Sequence, residues 1–325
     1  MRHLPLPLKN GFYTREENRI YVDSDWRPEG VTAQFMDNAQ TYHDLFFDNE
    51  YWKNLVARAI EFAQVDSNLP LKVLDIGSGS GNTVFAATEL LPNSVVYACD
   101  ISPQLLGMLV GIQEKIPHIQ GRIEAYCFDL HKDFFEDNTF DLVIGGAVLH
   151  HMLDPQAVLK NVAHWLRPGG KILLVVEPLE IGAHIMSAIY LMLLGELEVE
   201  PNVDPRLLSF FKTMCYDYEA RFGVPRIKPW THALDDKWFF HESYLRGVAN
   251  NIGLMLEFVE AATADVSREF SSSVKSTLAR AGLGDIPTPD ILWTILDKYD
   301  RGISPELKNK FTLEGIIIFT KLNVI

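Results

Sequence analysis

Between residues 71 and 178 the chain alternates short apolar runs with longer stretches whose apolar positions recur three and four apart. The runs at 72–76, 94–99, 123–128, 140–144 and 171–178 are rich in Val, Ile, Leu, Tyr and Phe and predict strands. The stretches at 83–91 and 155–166 predict helices. Strands separated by helices of this length join through right-handed crossovers, so the pattern predicts a parallel sheet covered on both faces. Further on, 241–251 reads as a helix that Gly253 can cap, 254–259 and 315–320 as a sixth and a seventh strand, and 271–281 and 290–299 as helices between them. The expected fold is α/β, a doubly wound, mostly parallel, seven-stranded Rossmann-like sheet.

Two regions fall outside this alternation. Residues 31–65 carry helical spacing, with Phe35, Ala39, Tyr42 and Phe46 on one face, Trp52, Val56, Ala59, Ile60 and Ala63 on another, and a break at Asp48-Asn49. Ahead of them, 12–14 and 20–22 flank Glu17-Asn18 as a hairpin. Between 180 and 236 one stripe carries Ile185, Ile189, Met192 and Leu193 and a second carries Leu207, Phe210, Phe211 and Met214, separated by acidic residues and Pro201. These stripes predict an inserted helical lid over a substrate pocket; a homodimer contact or plain core helices would use them equally well. The expected division is an N-terminal helical cover (1–70), a sheet core (71–178), the inserted lid (179–240) and the remainder of the core sheet (241–325).

The chemistry concentrates where the first strand ends. Asp75-Ile76-Gly77-Ser78-Gly79-Ser80-Gly81 leaves a bare backbone turn before a helix, and such a turn suits a ligand that rests against peptide groups. A dinucleotide pyrophosphate prefers G-x-G-x-x-G without an acidic residue two positions ahead. Asp75 would repel a pyrophosphate, yet it suits a ligand carrying an amino group and a sulfonium. The second strand ends in Asp100, beside the first turn, where a carboxylate can accept ribose hydroxyls; with Ser102-Pro103 after it, the same Asp also reads as a turn residue before a helix. The third strand ends in Asp129-Leu130 and the fourth in Gly145-Gly146, which brings these residues to the same edge.

Asp75-x-Gly77-x-Gly79-x-Gly81 resembles motif I of the class I S-adenosylmethionine-dependent methyltransferases. The Leu166-Arg167-Pro168-Gly169-Gly170 loop before an apolar strand is common in that family, and the last two strands resemble its antiparallel addition. The segment Val148-Leu149-His150-His151 is similar to segments of ubiquinone- and menaquinone-type small-molecule methyltransferases. The resemblance implies S-adenosyl-L-methionine as cofactor, held by Asp75, Gly77, Ser78, Gly79, Gly81, Asp100, Ile101, Asp129, Leu130, Gly145 and Gly146. It also implies that Asp129 faces the adenine amino group with Leu130 on the ring, and that N-terminal helices cover the pocket, bringing Tyr42 or His43 to the ligand. His150 and His151 are the best-placed bases for an acceptor that must lose a proton. The fourth strand lacks the Asn/Asp-Pro-Pro-Tyr/Phe motif of enzymes that methylate adenine or glutamine amides. The expected acceptor is therefore a small, partly apolar metabolite methylated at oxygen or carbon, with His184, His232, His241, Tyr190, Tyr216, Tyr218, Trp230 and Trp238 as candidate pocket residues.

Composition narrows the partners. A net charge of −14 over 325 residues opposes a phosphate backbone, so nucleic acid is not expected. Cys99, Cys127 and Cys215 lie far apart and read as reduced thiols, with no metal site expected. The apolar stretch 181–194 falls short of a bilayer span and no signal-peptide core opens the chain, which implies a cytoplasmic protein. A nicotinamide-dependent oxidoreductase and a non-catalytic, cofactor-binding partner subunit are the rival functions.

Overall fold

The computed structural model describes residues 6, 8–9, 11–15, 20–27, 39–222, 236–262, 268–310 and 312–323. Phe35, Glu17-Asn18, Trp230 and His232 lie outside them. The described strands are β1 (Phe12–Arg15), β2 (Ile20–Asp23), β3 (Lys72–Ile76), β4 (Val95–Asp100), β5 (Ile123–Cys127), β6 (Phe140–Gly146), β7 (Leu166–Pro178), β8 (Leu254–Ala261) and β9 (Glu314–Lys321). They form one sheet in the order β1-β2-β5-β4-β3-β6-β7-β9-β8. From β2 to β7 each neighbouring pair is parallel, and β9 runs antiparallel between β7 and β8.

The seven expected strands are therefore present, and the sheet is wider than expected by the N-terminal hairpin. β2 pairs in parallel with β5 through Ile20, Tyr21 and Val22, and Tyr21 stacks on Tyr126 at 4.9 Å. Residues 1–70 thus supply two strands as well as the helices α1 (Ala39–Phe46) and α2 (Asn49–Phe62). The hairpin's short alternation signals strands, but only the register with β5 reveals that it closes the sheet edge.

Alternation along each central strand sends side chains to two apolar layers. Val73 joins a layer with α2, α3 (Asn82–Leu90) and α4 (Pro103–Gln113), whereas Leu74 and Ile76 join a layer with α5 (Pro155–Trp165) and α8 (Glu242–Asn251). Capping sets where the helices begin. Asp48 accepts from the Tyr51 amide, Ser102 from Leu105 and Asp154 from Ala157, and Pro103 and Pro155 sit in the first turns of α4 and α5.

The insertion has a core of its own. Helices α6 (Glu180–Val199) and α7 (Pro205–Arg221) bury Met186, Ile189, Tyr190, Leu193, Leu207 and Phe211 against Phe270, Val274 and Leu278 of α9 (Glu269–Arg280) and Leu292 and Leu296 of α10 (Asp290–Gly302). The helical core therefore draws on residues both before and after the expected boundary at 240, since α9 and α10 pack on α6 and α7, while β8, β9 and α8 join the sheet layers. α6 also runs further than the apolar stretch at 181–194. Its 20 residues are long and apolar enough to cross a membrane by length and composition, while its inner stripe is the buried face of this helical core.

Candidate cofactor and acceptor site

Gly77, Gly79 and Gly81 all take positive φ, at 64°, 51° and 111°, so the turn after β3 needs residues without a β-carbon. Their surroundings differ. A β-carbon on Gly77 would lie 2.2 Å from Val148 Cγ2, and one on Gly81 would lie 2.5 Å from the Phe85 ring; on Gly79 it would meet nothing within 4 Å. Gly77 and Gly81 are bare because protein packs on them. Gly79 is bare toward open space. The turn is held by the Ser78 amide donating to the Cys99 carbonyl at 2.9 Å and the Ser78 hydroxyl donating to the Asp75 carbonyl at 2.9 Å. α3 then starts at Gly81 without a side-chain cap, which leaves its dipole and first-turn amides for an anionic group.

Asp75 is fully buried, and among the described residues neither carboxylate oxygen makes a well-formed hydrogen bond, the Thr83 and Ser78 hydroxyls being its nearby polar groups. Burial pushes its pKa up to about 7, against the Thr83 and Ser78 hydroxyls, which favour the ionised form. A buried, unsatisfied carboxylate costs free energy unless a donor or a cation arrives. Asp100, at the end of β4, accepts from the Gly79 amide through Oδ2 and from the Ser102 amide through Oδ1, each at 2.8 Å. Burial raises its pKa while these amides hold it down. The carboxylate thus ties the second strand's end to the open glycine. These bonds show the turn reading of Asp100 directly, and a carboxylate holding them still has acceptor capacity left.

At the end of β5, Asp129 is half-exposed, and its Oδ1 is taken by the His131 amide at 3.0 Å and ring Nδ1 at 2.8 Å. Burial alone would raise its pKa, but the bonds from His131 keep it below the usual value. An adenine amino group would therefore have to use Oδ2. Leu130 is buried in the layer beneath α5. The Ile101 carbonyl accepts the indole N–H of Trp26 at 3.0 Å, a contact that the sequence pattern did not signal. From the N-terminal helices His43 reaches the glycine turn, with Nδ1 2.8 Å from Ser80 Oγ, while Tyr42 packs on Phe46 at 4.6 Å.

Gly145 and Gly146 are small for packing reasons. A β-carbon on Gly145 would lie 2.8 Å from both Ile76 and Val148, and one on Gly146 would lie 2.6 Å from Thr83 and from Trp52. The chain then turns through Ala147, at φ 49°, into the 3-10 turn Leu149–His151.

Glu177, read from sequence only as part of a strand, organises this turn. Its Oε1 accepts the amides of Val148 (2.9 Å) and Leu149 (2.8 Å); its Oε2 accepts the amide of His150 (3.1 Å) and the ring Nδ1–H of His150 (2.9 Å). A bulge aims it there. The β7–β9 register shifts between Leu174 and Glu177, and Val176 adopts φ 61°, an outlier for a β-branched residue costing about 1–3 kcal/mol.

On its other side the His150 Nε2 lies 3.5 Å from Asp236, which lies the same distance from His151 Nδ1 and 3.2 Å from Arg221 Nη1. Arg221 also binds Asp217 at 2.9 Å and stands 4.0 Å over the Phe239 ring. Burial would lower the His150 pKa, but Glu177 and Asp236 outweigh it and push it up to about 10. The two carboxylates thus favour the protonated ring, which argues against His150 as a base for an acceptor. His151 is only partly buried. Of the other candidates, Tyr190 and Tyr218 lie in the helical core, Tyr216 is exposed, His184 stacks on Phe222, Trp238 donates to the Met152 carbonyl and His241 caps α8.

Comparison with known proteins places this geometry. A methyltransferase-domain family matches residues 74–172. The highly reducing polyketide synthase PKS6 of Gibberella zeae is 32% identical over 123 residues, which are 35% of this chain and 5% of that protein, so the chain spans a small part of that relative's length. A chain of the Haloferax volcanii complex between the Trm112 methyltransferase activator and a methyltransferase superposes with a TM-score of 0.52 at 14% identity, covering 89% of this chain and 95% of that one. Phosphoethanolamine N-methyltransferase 2 of Haemonchus contortus, solved with phosphomonomethylethanolamine and S-adenosylhomocysteine, gives 0.50 at 16% identity over 88% of this chain and 57% of that one. At these identities the structural likeness is one of fold. The glycine turn, the carboxylates at neighbouring strand ends and the 3-2-1-4-5-7-6 order of the seven core strands give the chain the fold of the class I S-adenosylmethionine-dependent methyltransferases, and residues 74–172 within it match a methyltransferase domain.

Proposed function

We propose that this chain transfers the methyl group of S-adenosylmethionine to a small, partly apolar acceptor, at oxygen or carbon. The observation that carries the reading is the open face of Gly79 together with the buried Asp75 carboxylate, which makes no well-formed hydrogen bond among the described residues. Asp75 would balance the cofactor's ammonium, the uncapped start of α3 its carboxylate, Asp100 its ribose hydroxyls and Asp129 with Leu130 its adenine. When bound, the cofactor supplies an electrophilic methyl on a sulfonium whose charge disperses during in-line displacement. The protein's task is then to hold two partners at attack distance and exclude water. His43 on Ser80 and Trp26 on Ile101 close the cofactor side. His150 positions: through Glu177 it ties the 3-10 turn to β7, and through Asp236 it ties both to the helical unit that borders the acceptor.

A metabolite acceptor is supported by the net charge of −14 and by Gly145-Gly146-Ala147-Val148 at the end of β6, where amide- and adenine-methylating enzymes carry their polar motif. The test has two arms. Calorimetry is expected to show S-adenosylhomocysteine binding and no heat with NAD; the reverse result overturns the methyltransferase reading in favour of a nicotinamide enzyme. Incubation of the chain with labelled S-adenosylmethionine and a metabolite extract is expected to place label in a small organic-soluble product. Label confined to nucleic acid or protein would overturn the acceptor class.

A further inference from the structure

We propose that His150, His151 and Asp236 form a binding site for one divalent cation of the zinc class, beside the 3-10 turn that follows β6. One donor atom from each of the three lies within 4.8 Å of the other two. The two separations from Asp236 Oδ1, to His150 Nε2 and to His151 Nδ1, are both 3.5 Å. That is long for a charge-assisted hydrogen bond, which closes to about 2.7–2.9 Å. It matches the spacing of donors around an ion: with bonds of about 2.1 Å, tetrahedral neighbours stand roughly 3.4 Å apart.

The surroundings of the three donors have the form that metal ligands need. A ligating imidazole is oriented when its other ring nitrogen donates to a carboxylate. His150 does this, with Nδ1 2.9 Å from Glu177 Oε2, so Nε2 is the nitrogen turned to the cluster. The Asp236 carboxylate is oriented in the same sense by Arg221, which holds Oδ2 at 3.2 Å and leaves Oδ1 facing the two rings. Two imidazoles and one carboxylate suit a borderline transition ion over magnesium or calcium, which prefer all-oxygen sets. Three protein donors leave a fourth position open, and an open position is the mark of a site that takes water or a substrate oxygen. That this oxygen belongs to a methyl acceptor rests on the methyltransferase reading; the site itself does not.

The test is a cobalt titration of the metal-stripped full-length chain, followed by visible d–d absorption, with zinc competition afterwards. One equivalent of Co2+ is expected to produce a saturable band that Zn2+ abolishes. His151→Ala and Asp236→Asn, which leave the buried His150–Glu177 clamp in place, are each expected to weaken Co2+ binding at least tenfold while thermal melting confirms that the variants are folded. Wild-type protein that shows no stoichiometric band, or variants that bind Co2+ as tightly as wild type, would overturn the site. So would a sulfur-to-cobalt charge-transfer band, which would put the ion on a cysteine.

Discussion

Asp75 gives the sharpest test of the cofactor seat, because its ionisation and the ligand's charge are coupled. An ordinary Asp titrates near ~3.9, and this one is pushed up to about 7 by burial. A shift of about three units corresponds to at most ~4 kcal/mol, which the ligand-free fold gives up when Asp75 ionises. The sign follows directly. Between pH ~4 and ~7 the folded chain holds a proton that the unfolded chain has released, so the stability of the ligand-free protein falls as pH rises through that window. Binding has the opposite slope: S-adenosylhomocysteine brings a cationic amino group and needs the carboxylate ionised. Its Kd, followed by calorimetry at constant ionic strength from about pH 5.5 to 8.5, is expected to tighten by up to about tenfold per unit below 7 and to level off above it. Asp75→Asn is expected to remove both slopes and to weaken binding about ten- to a hundredfold at pH 8, in line with ~1.5–3 kcal/mol for a charged hydrogen bond. A wild-type affinity that ignores pH, or an Asn variant that binds as tightly as wild type at pH 8, would refute the reasoning.

Three further outcomes are expected. Gly77→Ala should destabilise the fold by about 2–5 kcal/mol, since it adds left-handed strain to a 2.2 Å clash with Val148, whereas Gly79→Ala should cost only about 1–2 kcal/mol in thermal melts and still weaken S-adenosylhomocysteine binding at least tenfold; equal melting temperatures for the two would contradict the placement of the open face. Glu177→Ala leaves three amides and a buried ring N–H without their acceptor, an expected loss of about 3–5 kcal/mol, read as a drop of roughly 5–8 °C in Tm for a chain of this size; a drop below about 2 °C would remove Glu177 from its organising role. Asp100→Ala should cost about 2–4 kcal/mol of cofactor affinity, and a 2′-deoxy analogue that wild type binds as well as the parent ligand would count against ribose recognition.

What was legible in the sequence follows from how local each signal is. The seven core strands announce themselves because each is a contiguous apolar run between helix-period stretches, and the residues that end them reach one edge by topology alone. The glycine turn is visible too, but not the reason for each glycine: Gly77, Gly145 and Gly146 answer to Val148, Ile76, Thr83 and Trp52, which only folding brings near. His150 looked like a base because an unperturbed imidazole titrates near neutrality. Its two carboxylate partners come from the end of β7 and from the segment before α8, and no spacing rule connects them. The hairpin was readable as a pair of strands, yet its membership of the sheet was not, since pairing with β5 is a long-range register. Likewise α9 and α10 have amphipathic patterns that any apolar surface would satisfy, and the sequence offers no way to choose between the sheet and the inserted helices.

That last arrangement bears on how the helical unit can be moved between related folds. Because the interior shared by α6, α7, α9 and α10 is assembled from segments on both sides of β8, no single stretch of chain carries the helical unit as a transplantable module. A graft of residues 179–240 alone into a related scaffold would arrive with Met186, Tyr190 and Phe211 facing water. Any exchange of this unit between scaffolds must therefore carry both halves together with the strand that separates them.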